Sequence, residues 1–118
     1  MTPRRLAILW TAVIVIGCLI PGDGIPSIRL LSYDKLIHVL LFVGFGALWT
    51  TASPLQIGAV LASGVALGIA LEVAQTLPLV NRSGDVLDAV ADVVGLVLGV
   101  GLGRWLVGRR GRATPSRP

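Results

Sequence analysis

Four apolar runs of roughly 15 to 24 residues, separated by short breaks, fill most of the 118-residue chain. Runs of that length are too long for strands, and four in succession leave little polar sequence to cover a water-soluble core. Only 14% of the residues are charged, where a soluble domain carries about 25%. The pattern predicts an all-α integral membrane protein, a four-transmembrane-helix bundle in one domain over residues 1–108. A basic tail rich in Arg and Pro, residues 109–118, is expected to be disordered. The net charge of +4 does not point to nucleic acid, because seven of the ten basic residues sit at the two ends without interleaved aromatics. One cysteine rules out an internal disulfide and a Cys-rich metal site.

Local signals bound the spans. Thr2-Pro3 suits a helix start, and the first span runs over Leu6 to Ile20, short for a crossing. Val15-Ile16-Gly17-Cys18 loosely resembles a lipobox, but the apolar Leu19-Ile20-Pro21 that follows favours a retained helix with Cys18 in packing. Pro21 to Pro26 breaks the chain, and a second span is expected from Asp34 to Thr51 with Ser32 as its N-cap. Ser53-Pro54-Leu55-Gln56 reads as a capping box opening the third span, which ends near Leu77. The fourth is expected from Asp85, a natural N-cap, to Val107. With four spans both termini share one side, and the excess of arginine there places both in the cytoplasm.

That orientation gathers the polar residues. Asp34, Lys35 and His38, then Glu72 and Gln75, then Arg82, Asp85, Asp88 and Asp92 all fall in the outer half. Counted by helical rise, His38, Glu72 and Asp92 lie roughly 5 to 10 Å below the outer surface. Three spans thus present polar groups at one depth, and ionisable groups there mark functional sites by default. Asp85, Asp88, Asp92, Gly95, Gly99 and Gly103 follow one helical stripe, acidic above and glycine below, while Gly64 and Gly68 share a face with Glu72. Small-residue stripes let helices approach closely in lipid, so these glycines are read as the contact between the third and fourth spans. Gly44, Gly46 and Gly101 stay outside that contact and leave room for a homodimer.

Asp34-Lys35-x-x-His38, Glu72-x-x-Gln75, and Arg82 followed by Asp88, Gly95 and Gly99 together resemble the VanZ-like membrane protein family over about residues 34–99. Asp92 departs from that pattern, which usually has Asn there. The resemblance implies a small four-helix protein of the bacterial cell (inner) membrane. The family's named member is linked to resistance to the glycopeptide teicoplanin, and that link comes here only as an expectation.

Each polar residue has a bland role beside a functional one. Asp34 and Asp85 suit helix N-termini, Lys35 can snorkel to the surface, and Arg82 is a natural counter-ion for Glu72 or Asp88. Three functions fit the group. In the first, the pocket binds a polar or lipid-linked cell-envelope component through Asp34, Lys35, Gln75, Arg82 and Asp92, arginine being suited to phosphate. In the second, a membrane enzyme (a hydrolase or transferase) works on an envelope lipid head group. There the catalytic set is His38, Glu72 and Asp88, with His38 as acid or base and a carboxylate orienting it or holding a divalent ion. No Ser or Cys nucleophile accompanies them, and one histidine among carboxylates is no metal motif, so no metal ligand is assigned and the cofactor stays unknown. In the third, the groups relay protons or ions, which would require an oligomer because no acidic residue reaches the cytoplasmic half.

Overall fold

The computed structural model describes residues 2–19, 27–77 and 86–113, which form four helices. These are α1 (Pro3–Cys18), α2 (Ser27–Ala52), α3 (Ile57–Gln75) and α4 (Val86–Ala113). No strand occurs among the described residues. Segments within α2, α3 and α4 are long and apolar enough to cross a membrane: Lys35–Ala52, Ile57–Gln75 and Val86–Gly111. At 16 residues, α1 spans only about 24 Å against a hydrocarbon core of about 30 Å.

The helix ends refine what local sequence suggests. Thr2 caps α1, its hydroxyl accepting from Arg5 N–H at 3.2 Å, with Pro3 in the first turn. Ser32 does not cap α2, which begins at Ser27 and so takes Ser32 into its second turn. The Ser53–Gln56 capping box does not form either. Gln56 N–H bonds Ser53 C=O at 3.0 Å in a turn, and α3 starts after it without a side-chain cap. α3 stops at Gln75, where Thr76 and Leu77 N–H groups bond back to Val73 and Ala74 carbonyls. α4 continues to Ala113, so the first five residues assigned to a disordered tail, 109–113, are helical. There Arg109 stacks 4.9 Å over the Trp105 ring. The Asp85 cap lies outside the described residues.

Packing turns on glycine, in a different arrangement from the expected one. A Cβ at Gly95 or Gly99 of α4 would run into the backbone carbonyls of Val39 and Val43 on α2, and one at Gly103 would sit 2.8 Å from Ala47 O. Both series step by four residues in the same direction, so α2 and α4 run parallel with backbones almost touching. The α4 glycine stripe is therefore the α2 contact and not the α3 contact. α3 meets α4 differently. Its Gly64 receives the bulky Leu96 side chain, and its Gly68 lies against Asp92. One small surface is enough when the partner offers a large one, which leaves the α4 glycines for α2. Gly46 and Gly44 are used inside the bundle against the Leu96–Val100 backbone and the Trp10 ring; of the three glycines expected to leave room for a homodimer, Gly101 alone faces open space.

Buried Ile14, Cys18, Phe42, Phe45, Val60, Leu71, Leu96 and Val100 form the core. α1 is fastened to α2 by polar bonds, Trp10 Nε1 donating to Leu41 C=O at 2.8 Å and Trp49 Nε1 to Thr11 Oγ1 at 2.9 Å. The outer surface is apolar. Ile16, Leu40, Ile69, Val73, Val97 and Leu98 are among its exposed residues. A helix that is hydrophobic all round needs an apolar surrounding.

Candidate functional site

The site grows from the ends of three helices. His38 lies in the second half-turn of the apolar part of α2, Glu72 one turn before the end of α3, and Asp88 and Asp92 in the first two turns of α4. The parallel α2–α4 contact sets their register, with Val39 against Gly95 just below His38 and Asp92. α3 runs antiparallel to both and brings the Gly68–Glu72 face to the same level.

His38 is the centre. Its Nδ1 is 2.7 Å from Asp92 Oδ1, a hydrogen bond in which the imidazole N–H donates and the carboxylate accepts. Its Nε2 faces Asp88 Oδ2 at 3.9 Å. All three side chains are buried, at 3% exposure for His38, 4% for Asp88 and 2% for Asp92. Asp88 also pairs with Lys35 Nζ at 3.6 Å, and Lys35 is 40% exposed at the rim. Glu72 completes the group from α3: donor atoms of His38, Glu72 and Asp92 all lie within 4.8 Å of one another. Asp88 sits in the first turn of α4, where the helix dipole favours a carboxylate.

Four of the sequence-derived residues, His38, Glu72, Asp88 and Asp92, therefore form one cluster, with Lys35 attached through Asp88. Gln75 has another partner. Its buried Nε2 donates 2.9 Å to the Cys18 carbonyl and ties α3 to the C-terminal end of α1. Of Asp34 only the backbone is described, in α2 one turn before His38, and Arg82 lies outside the described residues. Among the described residues Lys35 is a cation that meets Asp88.

Beside the cluster is a groove that sequence reading missed. A cavity of about 360 Å³ runs between α3 and α4, lined by Gly64, Gly68, Ile69, Val90 and Val93, with Asp92 as its one charged residue. Its signal was the Gly64–Gly68 pair, which leaves α3 without side-chain bulk there. A larger cavity, about 680 Å³, lies near the α2–α3 turn, where its one charged lining residue, Arg4, is exposed.

Comparison with family models, curated proteins and solved structures gives no match to this chain.

Proposed function

We propose that this chain is a multi-pass protein of the bacterial cell membrane that binds an amphipathic, lipid-linked envelope component. Its polar head sits at the His38–Glu72–Asp88–Asp92 cluster and an acyl chain lies in the α3–α4 groove. The observation that carries the reading is Asp92, which hydrogen-bonds His38 and also lines the apolar groove. A ligand with a polar head and an apolar tail matches that junction. Carboxylates and an imidazole suit hydroxyls or amines of a head group, and Lys35 supplies positive charge at the rim. The resemblance to the VanZ-like family and the four-span topology with cytoplasmic termini belong to the same reading, with α1 as a short, tilted fourth span. So does any link to glycopeptide resistance.

Native mass spectrometry of the protein released from mild detergent tests this. A defined lipid should be retained at about one per chain and lost in Val90→Trp, which fills the groove from its lipid-facing side without touching the polar cluster. Retention of no defined lipid, or equal retention by Val90→Trp, would count against the reading.

A catalytic role at an envelope lipid is the second reading. His38 held between two carboxylates has the arrangement of an oriented general base.

A further inference from the structure

We infer that His38, Glu72 and Asp92 form a binding site for one divalent transition-metal cation of the Zn²⁺ or Mn²⁺ kind, with Asp88 as the outer carboxylate that orients His38. The inference deepens the binding reading at the same cluster and rests on it for the location, though not for the lipid.

The donor set is the first ground. Three ligand atoms, one from each of three helices, lie within 4.8 Å of one another. Ligands on a common ion at about 2.1 Å stand roughly 3 to 4 Å apart, so the set is within about 1 to 2 Å of a liganding arrangement. None of this is visible as spacing in sequence, because His38 and Asp92 are 54 residues apart.

The second ground is the surroundings of the imidazole. A metal-binding histidine commonly presents its other ring nitrogen to a carboxylate, which fixes the ring and raises its basicity. Bound to a metal, Nδ1 would give up the proton that it donates to Asp92, while Nε2 faces Asp88 at 3.9 Å and Lys35 holds that carboxylate from outside at 3.6 Å. The ring is 3% exposed and its orientation is set from both sides.

The chemistry of the set is the third. Glu72 and Asp92 bring carboxylate oxygens to the His38 imidazole inside the bundle. Anionic oxygen ligands in a low-dielectric site attract a divalent cation strongly. The mixture of imidazole and carboxylate selects the ion: oxygen-only sets suit Mg²⁺, Ca²⁺ and Mn²⁺, whereas an imidazole shifts preference towards Zn²⁺, so a mixed set takes zinc first and manganese after it. Gly68 gives the Asp92 carboxylate room, since a Cβ there would come within 3.2 Å of Oδ2. Bound there, the cation would present positive charge to a phosphate or hydroxyl of a head group.

The experiment is equilibrium binding of Zn²⁺, Mn²⁺ and Mg²⁺ to delipidated full-length protein in detergent, with elemental analysis for stoichiometry. About one Zn²⁺ or Mn²⁺ per chain is expected, with Mg²⁺ much weaker. Glu72→Gln and Asp92→Asn should each weaken binding at least about tenfold, and Asp88→Asn about 10- to 100-fold with stoichiometry kept. Gly101→Ala, on the outer surface, should bind as the parent does. Cobalt absorption bands that shift in His38→Asn would identify the imidazole as a ligand, and circular dichroism on each variant separates lost binding from lost folding. No stoichiometric binding, binding indifferent to Glu72 and Asp92, or Mg²⁺ bound as tightly as Zn²⁺ would overturn the inference. Lipid retention measured in chelator keeps the two readings apart: lipid kept in chelator by a protein that binds no metal ends only the metal site, and metal bound by delipidated protein survives failure of the lipid reading.

Discussion

His38 and Asp92 meet across α2 and α4 at 2.7 Å, nitrogen to oxygen, both almost wholly buried. That distance belongs to charge-assisted hydrogen bonds. Placed where three apolar helices converge, the pair holds the bundle and forms the site together, and the two roles respond differently to substitution.

Asp92→Leu leaves His38 buried beside an apolar group and should cost about 3 to 5 kcal/mol, the usual price of breaking a buried pair by removing one partner. Asp92→Asn retains an oxygen that can accept from the imidazole and should cost about 1 kcal/mol. Thermal unfolding in detergent checks the order. Equal losses would mean that the carboxylate acts only through volume.

Gly99→Leu drives a side chain into the Val43 carbonyl of α2. The helices must separate, at a cost of about 3 kcal/mol or more, with the polar cluster disrupted as its register shifts. Gly101→Ala meets nothing within 4 Å and should be neutral or stabilising by up to about 1 kcal/mol. The stability difference between the two variants measures the α2–α4 contact.

Gln75→Leu removes the bond to the Cys18 carbonyl. A loss of about 1 kcal/mol is expected, localised to the α1 attachment. Cys18 is the single cysteine and 3% exposed, so maleimide labelling should rise in the variant while α2–α4 packing holds. Unchanged labelling would place α1's attachment elsewhere, for example at Trp10 and Trp49.

Much of this was legible in the chain. The four helices follow from the apolar runs, the Thr2-Pro3 start from its capping hydroxyl, and the common level of His38, Glu72 and Asp92 from a rise of about 1.5 Å per residue. Periodicity also shows that Gly95, Gly99 and Gly103 share a face. It does not say which neighbour that face meets, because the position of each helix around the bundle depends on long-range packing. Periodicity is therefore compatible with a stripe on α3, whereas the stripe packs on α2. Lys35 beside Asp88, and Gln75 turned to α1, were hidden for the same reason: each depends on a side chain reaching a helix whose direction spacing does not give. Ser53-Pro54 failed as a cap because its backbone closes a turn first.

The most direct measurement concerns Glu72, whose carboxylate joins the cluster from α3 while remaining only half-buried. Glu72→Gln is compared with the parent for lipid retained per chain, by native mass spectrometry, and for thermal midpoint on the same preparation. If the cluster is a binding site, the lipid is lost while the midpoint stays within about 5 °C, a shift of about 1 kcal/mol for a chain this size. Lipid retained at parental level, or a midpoint that collapses together with the lipid, would instead make the cluster a structural clasp.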